Sequence, residues 1–335
     1  MPKTIYLIIL VINLPIILFF KNITKFIGIN DKADNLRKLH KLDIPLFGGI
    51  LIILNLILFL ILDFFLNLNL VKEIITTREY VSFFLGIIIF FLIGIYDDKF
   101  DLSANKKLFL NFFILLFLIL LDDNLVIKEL NFSFLENTIE LRNFSHLFTI
   151  LCILLFLNAL NMFDGINLQV AFYCILIFFI FILKDIYIPL SIILICVLSI
   201  FLIYNYLNKM FLGDSGTYTL AFIISYIIIK SHNIEGKFTP EEIFIILSLP
   251  GLDMLRLFIL RIFKGKNPFH SDRNHIHHLI LKKYDSFKTF LLIQLYIILN
   301  LILFYNYENK LNILFINITG YLILFLIFFQ REGKN

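Results

Sequence analysis

Residues 80–98 read YVSFFLGIIIFFLIGIYDD, and this stretch decides the fold class. Residues 80–96 carry no charge and run directly into two adjacent aspartates, Asp97 and Asp98. A helix that crosses the hydrocarbon of a bilayer needs about 20 mostly apolar residues. The stretch therefore reads as a membrane-spanning helix with paired carboxylates at one end. The rest of the chain repeats the pattern. Its 335 residues are 60% hydrophobic and 16% charged, with a mean hydropathy of +0.92. A soluble domain is about 45–50% apolar and about 25% charged, and a single soluble core would still need a polar shell. Lipid is the solvent that suits such a chain. With 41 Phe and no Trp, Tyr is left to supply an interfacial aromatic belt. Cys152, Cys174 and Cys196 all fall in apolar runs without a C-x-x-C pair, and read as small buried hydrophobes.

Working outward from residues 80–98, eleven spans are expected, at 5–20, 46–65, 80–96, 107–121, 147–161, 168–183, 187–204, 212–229, 242–260, 289–305 and 311–329. The first lacks a small-residue cleavage site and reads as a retained span. The longest loops, 122–146 and 261–288, are too short to be soluble domains. The expectation is an all-α, polytopic integral membrane protein, with 1–335 as a single transmembrane domain. Cytoplasmic loops carry an excess of Lys and Arg. With the N-terminus outside, nineteen Lys and Arg fall on the cytoplasmic side and nine on the other, while Arg256 lies within a span. The layout is therefore N-terminus out and C-terminus cytoplasmic. Asp122, Asp123, Glu129, Glu136 and Glu140 gather on the outer side, in agreement.

The chemically dense segments all land on the cytoplasmic side, although the sidedness rests on Lys and Arg alone. Residues 31–49, DKADNLRKLHKLDIPLFGG, offer Arg37, Lys38 and His40 to phosphate oxygens, or rest as a basic loop on anionic lipid. Asp97 and Asp98 stand beside an apolar helix, where adjacent carboxylates need hydration or a cation. Hard oxygen ligands of this kind suit Mg²⁺ or Mn²⁺, and a solvated helix end is the plainer alternative. In 157–169, LNALNMFDGINLQ, the residues Asn158, Asn161 and Asp164 recur at every third position on one helix face. Polar side chains so placed at the end of a span usually serve function. In 211–219, FLGDSGTYT, Asp214 sits between Gly213 and Gly216, either where phosphate or metal approaches the backbone of a helix N-terminus or in a plain turn. Asp253 and Arg256 form an i, i+3 pair that reads as mutually neutralised. The loop that follows concentrates Asp272, Arg273, Asn274, His275, His277 and His278. Such a mixture suits pyrophosphate or nucleotide recognition, whereas a zinc site would want cysteines or H-x₃₋₅-H spacing.

The order R-K-x-H…GG, DD, N-x-x-N-x-x-DG, GD-x-G and P-x-x-D-x-x-R…PF…DRNHIHH resembles the polyprenyl-phosphate N-acetylhexosamine-1-phosphate transferase superfamily, glycosyltransferase family 4, over essentially the whole chain. DRNHIHH resembles the branch that uses UDP-GlcNAc or a close relative. The branch that transfers phospho-MurNAc-pentapeptide carries three consecutive histidines, a run that Ile276 interrupts here. Two positions depart from the family pattern. Ala33-Asp34 stands where the family has Pro, and Asn167 stands at the second carboxylate of DG-x-D-G-L.

The resemblance implies transfer of N-acetylhexosamine 1-phosphate from a UDP-N-acetylhexosamine to undecaprenyl phosphate, with release of UMP, as the first step of a cell-surface glycan. It implies a bacterial inner-membrane enzyme whose active site faces the cytoplasm and whose partners are the two substrates and membrane lipid. No nucleic-acid partner is expected, and a homodimer is compatible with this reading. By the family pattern, Asp97, Asp98 and Asp164 are the catalytic candidates, and Asp214, Asp98 and Asp164 the ligands of Mg²⁺ or Mn²⁺. Arg37, Lys38, His40, Asn158, Asn161, Arg273, His275, His277 and His278 are the substrate-binding candidates. A transporter or flippase is the alternative from another class, but it would place its polar sites near the bilayer midplane rather than at span ends.

Overall fold

The computed structural model describes residues 13, 18–31, 43–66, 71, 73–74, 76–268 and 273–329. Most of the expected span 5–20, together with Arg37, Lys38 and His40, lies outside the described residues. In chain order the elements are α1 (Phe20–Ile27), β1 (Asn30–Asp31), β2 (Ile44–Pro45), α2 (Gly48–Leu66), α3 (Thr77–Phe100), α4 (Ala104–Leu121), β3 (Glu129–Leu130), β4 (Ile139–Glu140) and α5 (Ser145–Phe163). They continue with α6 (Gln169–Leu183), α7 (Ile188–Tyr206), α8 (Gly213–Glu235), α9 (Pro240–Phe263), α10 (Ile276–Leu281), α11 (Ser286–Asn306) and α12 (Lys310–Phe328).

The chain is an all-α polytopic membrane protein. Eight helices among the described residues are long and apolar enough to cross a membrane: α2, α3, α4, α5, α7, α9, α11 and α12. The apolar α6 is shorter. The eight do not include α8, whose first two turns hold Asp214, Ser215, Thr217 and Thr219 and dilute its apolar character. Each expected span from 46–65 onward coincides with one of these ten helices, with ends displaced by a few residues. The differences come from caps. Thr76 starts α3 ahead of its apolar run through a capping box with Glu79, and Pro240 at the first turn starts α9 early.

The chain divides into two compact units. The first comprises Met1–Leu102 and Val170–Ile227. In it, β1 and β2 pair antiparallel and bracket residues 32–43. Leu46 bridges Phe211, and the Gly48 and Gly49 N–H groups donate to the Phe211 and Leu212 carbonyls at 2.9 and 3.1 Å. The first amides of α2, which no helix can satisfy internally, are thereby paired, and the start of α2 is fixed beside the start of α8. Close approach is permitted by glycine, the usual device where helices pack in lipid. A Cβ on Gly49 would lie 2.5 Å from the Gly216 nitrogen, and one on Gly94 would lie 2.6 Å from the Asp214 carbonyl carbon. Farther along α8, Phe222 stacks on Phe90 of α3 at 5.0 Å, and the Tyr226 hydroxyl donates to the Glu79 carbonyl at 3.2 Å.

The second unit comprises Ser103–Gln169 and Ile228–Asn335. Here α9 packs on α5 and α12, and the loop after α4 folds into the β3–β4 ladder rather than an open coil. Lys230 pairs with Asp122 at 3.3 Å, both side chains almost fully buried. Asn233 donates to the carbonyls of Asn124 and Val126, which ties that loop to the end of α8.

Candidate active site

In the first unit, α3 delivers its terminal carboxylates to the start of α8. Asp98 Oδ1 accepts from the Asp214 N–H at 2.7 Å, and Oδ2 accepts from the Ser215 N–H at 3.1 Å. These are amides of the first turn of α8, where the aligned peptide dipoles favour a negative charge. The sequence left this backbone open to phosphate or metal, or to a plain turn; in the structure the Asp98 carboxylate occupies its first amides. Gly213 has φ +75°, and a Cβ there would lie 2.7 Å from Asp98 Oδ2. Both the left-handed backbone and the carboxylate therefore require glycine at this position.

Asp97 is 2% exposed, and its Oδ1 accepts from the Leu102 N–H at 2.8 Å. The Asp101 N–H donates to the Asp97 carbonyl at 2.9 Å, so Asp97 closes the last turn of α3 through both backbone and side chain. Asp214 is half-buried, close enough to Asp98 for the two carboxylates to repel. The buried Tyr218, one turn further along α8, is within electrostatic reach of Asp97, Asp98 and Asp214. Three carboxylates thus gather where two helix ends meet.

That donor set fits a hard divalent cation. Each Asp98 oxygen spends one lone pair on a backbone amide and retains a second, so capping and coordination are compatible. Among the described residues, no three His, Cys, Asp or Glu side chains assemble a cage for a metal. Mg²⁺ does not call for one, because it is commonly held by one or two carboxylates with waters and substrate phosphates completing the octahedron.

In the second unit, α9 supplies Asp253 and Arg256 to the segment that carries the histidines. Asp253 Oδ1 accepts from Arg256 Nη2 at 2.8 Å, the Tyr321 hydroxyl at 3.0 Å and the Ile276 N–H at 3.1 Å. Asp253 Oδ2 lies 2.8 Å from His275 Nδ1. Arg256 also donates to the Tyr321 hydroxyl at 2.8 Å and to the Asn274 carbonyl at 2.6 Å, with Phe325 under its guanidinium at 4.4 Å. The expected neutralised pair is therefore the hub that holds backbone 274–276 in place.

The rings of His275 and His277 stack 5° from parallel at 5.4 Å, and His278 lies 4.3 Å from His277. A Cβ on Gly165 would collide with the His277 ring. The 157–169 motif and the histidine motif therefore meet, with His277 seated on the turn that follows Asp164. His277 Nδ1 is buried and meets no hydrogen-bond partner among the described residues. Burial, then the neighbouring His278 and His275, hold the His277 pKa well below the usual imidazole value and keep the ring neutral. In the same unit, Asp164 and Arg273 are exposed, Asn158, Asn161 and His278 half-buried, and His275 buried. Asn158 donates back to the Leu154 carbonyl of its own helix at 2.7 Å. Tyr218 and Tyr321 were missed in the sequence. Each is one tyrosine in an apolar helix, and only its position relative to distant carboxylates marks it.

The sequence model of glycosyl transferase family 4 matches residues 80–232. The chain is 28% identical over 301 residues to the undecaprenyl-phosphate alpha-N-acetylglucosaminyl 1-phosphate transferase of Escherichia coli strain K12, covering 83% of this chain and 76% of that one. It is 29% identical over 282 residues to the Yersinia pestis protein of the same name, covering 80% and 74%. It is 27% identical over 274 residues to a probable undecaprenyl-phosphate N-acetylglucosaminyl 1-phosphate transferase of Bacillus subtilis strain 168, covering 78% and 72%. The match to glycosyl transferase family 4 runs from α3 through Asp97, Asp98, Asp164 and Asp214, and relatives of one kind are similar to this chain over both compact units.

Proposed function

We propose that this protein transfers N-acetylglucosamine 1-phosphate from UDP-GlcNAc to undecaprenyl phosphate, releasing UMP and forming undecaprenyl-pyrophosphoryl-GlcNAc. An oxygen of the lipid phosphate attacks the β-phosphorus of the donor. The new P–O bond forms as the bond from that phosphorus to the bridging oxygen breaks, and the electron pair leaves with UMP. A phosphate monoester is largely ionised at neutral pH, so the attacking oxygen needs orientation more than a strong base.

In this reading the whole chain acts as one transferase domain. Asp98 and Asp214 hold Mg²⁺ or Mn²⁺, and Asp97 and Asp98 orient the acceptor phosphate. Asn158, Asn161, Asp164, Arg273, His275, His277 and His278 receive the donor, with Arg37, Lys38 and His40 on the lipid phosphate. When bound, the cation neutralises charge on the pyrophosphate and on the departing UMP. The membrane layout that goes with it is eleven spans, N-terminus out and C-terminus in, with the chemistry on the cytoplasmic face of the bacterial inner membrane. The observation that supports the reading most is the gathering of Asp97, Asp98 and Asp214 at one helix junction. That is the charge pattern expected where pyrophosphate and a hard cation meet.

The test is a donor comparison in membranes containing the protein, with undecaprenyl phosphate and Mg²⁺ supplied. UDP-GlcNAc is expected to yield labelled lipid, lost on chelation and restored by Mg²⁺ or Mn²⁺. Preference for UDP-MurNAc-pentapeptide would move the protein to the peptidoglycan branch, and no lipid product from any UDP-HexNAc would end the transferase reading.

A further inference from the structure

Tyr321 lies in α12, far in sequence from every motif, yet it is 2% exposed and bonded into the histidine segment. Its hydroxyl accepts from Arg256 Nε at 2.8 Å, and its one proton goes to Asp253 Oδ1 at 3.0 Å. Counting the bonds on Asp253 shows what this achieves. The carboxylate accepts from Arg256, Tyr321, the Ile276 N–H and His275 Nδ1, four bonds for about four lone-pair sites. Three of the four bonds converge on Oδ1 and one falls on Oδ2, which ties arginine, tyrosine, histidine and backbone to one carboxylate; its work is orientation. It cannot donate, so His275 Nδ1 carries the hydrogen, and Nε2 is the atom left to meet a ligand. Arg256, steered by the same hydroxyl, fixes the Asn274 carbonyl, one residue beyond Arg273.

We propose that Tyr321 is a positioning residue of the donor site, fixing the Asp253–Arg256 pair and through it the tautomer of His275 and the path of residues 273–276. The proposal rests on the transferase reading given above. Tyr321→Phe removes one hydroxyl and keeps the ring that fills the space. The apparent KM for UDP-GlcNAc is expected to rise about tenfold, the worth of one buried hydrogen bond to charged groups. The KM for undecaprenyl phosphate should stay within about twofold, since a specific loss at the donor site leaves acceptor binding untouched.

The decisive arm is a double-mutant cycle with His275→Ala. If Tyr321 acts through His275, the hydroxyl matters little once the imidazole is gone, and the two losses fail to add. Additive losses, an unchanged donor KM, or equal rises in both KM values would each overturn the proposal. Should Tyr321→Phe not accumulate in membranes, Tyr321→Met, which also lacks the hydroxyl and adapts its shape to the space, is read in the same cycle against the same outcomes. A wild-type protein inactive with every UDP-HexNAc overturns the transferase reading and this proposal together; an active wild type with an unaffected Tyr321 variant overturns this proposal alone.

Discussion

Asp98→Asn separates two duties that the structure gives to one side chain. In the folded chain its two oxygens accept the Asp214 and Ser215 amides at 2.7 and 3.1 Å. An asparagine keeps one acceptor and turns an NH₂ toward the other amide. Leaving that amide unsatisfied costs about 1–3 kcal/mol. Removing the charge from the helix N-terminus costs about 0.3–1 kcal/mol more, and up to about 2 where partly buried. Relief of the burial cost of that charge, and then of the repulsion from Asp214, offsets part of this, for a net loss of about 1–3 kcal/mol. At about 2–4 °C per kcal/mol for a large domain, the unfolding midpoint of purified protein in detergent should fall by about 5 °C. Asp214→Asn is expected to differ. Its amide and carbonyl brace the junction through Asp98 and the Thr217 hydroxyl and stay in the variant, whose lost charge no longer repels Asp98, so the midpoint should stay at the wild-type value or rise slightly. Both variants should lose transferase activity. Differential scanning fluorimetry and the lipid-transfer assay on the same preparations decide the matter. An Asp98→Asn protein as stable as wild type, or an Asp214→Asn protein destabilised to the same degree, would refute the capping argument.

Gly165→Ala drives a methyl into the His277 ring; overpacking of this kind costs about 1–3 kcal/mol, so donor KM should rise by roughly ten- to a hundredfold, measured by initial rates against UDP-GlcNAc. Lys230→Met leaves Asp122 as a buried charge without the partner it holds at 3.3 Å and should cost about 3–5 kcal/mol, whereas Lys230→Met with Asp122→Leu should recover most of it, read as unfolding midpoints. The depressed pKa of His277 also sets a pH dependence. The unfolded chain binds its proton near the ordinary value of 6.5 and the folded chain does not, so the His277 contribution is complete above that pH and is lost as the pH falls below it. Midpoints measured from pH 8 to 5 should show a slope below about 6.5 that His277→Gln reduces.

Much of the membrane layout was legible because lipid imposes a length rule. A run such as 80–96 has one sensible reading, and the helices from α2 to α12, the short α10 apart, follow from such runs. Their ends were less legible, since Thr76 and Pro240 set starts that no apolar count reveals. The candidate residues stood out as polar groups at span ends, and Asp98 does meet the start of α8 at Asp214. Their division of labour was not legible. That Asp98 caps α8 depends on where two backbone amides point, and sequence does not record directions. Asp253 and Arg256 were visible as an i, i+3 pair, but the bonds to Ile276, His275 and Tyr321 span 22 to 68 residues. Lys230 and Asp122 were both placed on the outer side from charge and span alternation, and they form one buried pair. That contact joins the ends of α4 and α8.

The central claim is a transfer of phosphate between two named phosphorus centres, and positional labelling tests it most directly. UDP-GlcNAc labelled at the β-phosphorus is incubated with the purified protein, undecaprenyl phosphate and Mg²⁺, and a parallel sample carries the label at the α-phosphorus. The account predicts that β-label moves into the lipid phase together with GlcNAc, while α-label leaves as water-soluble UMP. Retention of both labels in the aqueous phase, or GlcNAc reaching the lipid without the β-phosphorus, would contradict it.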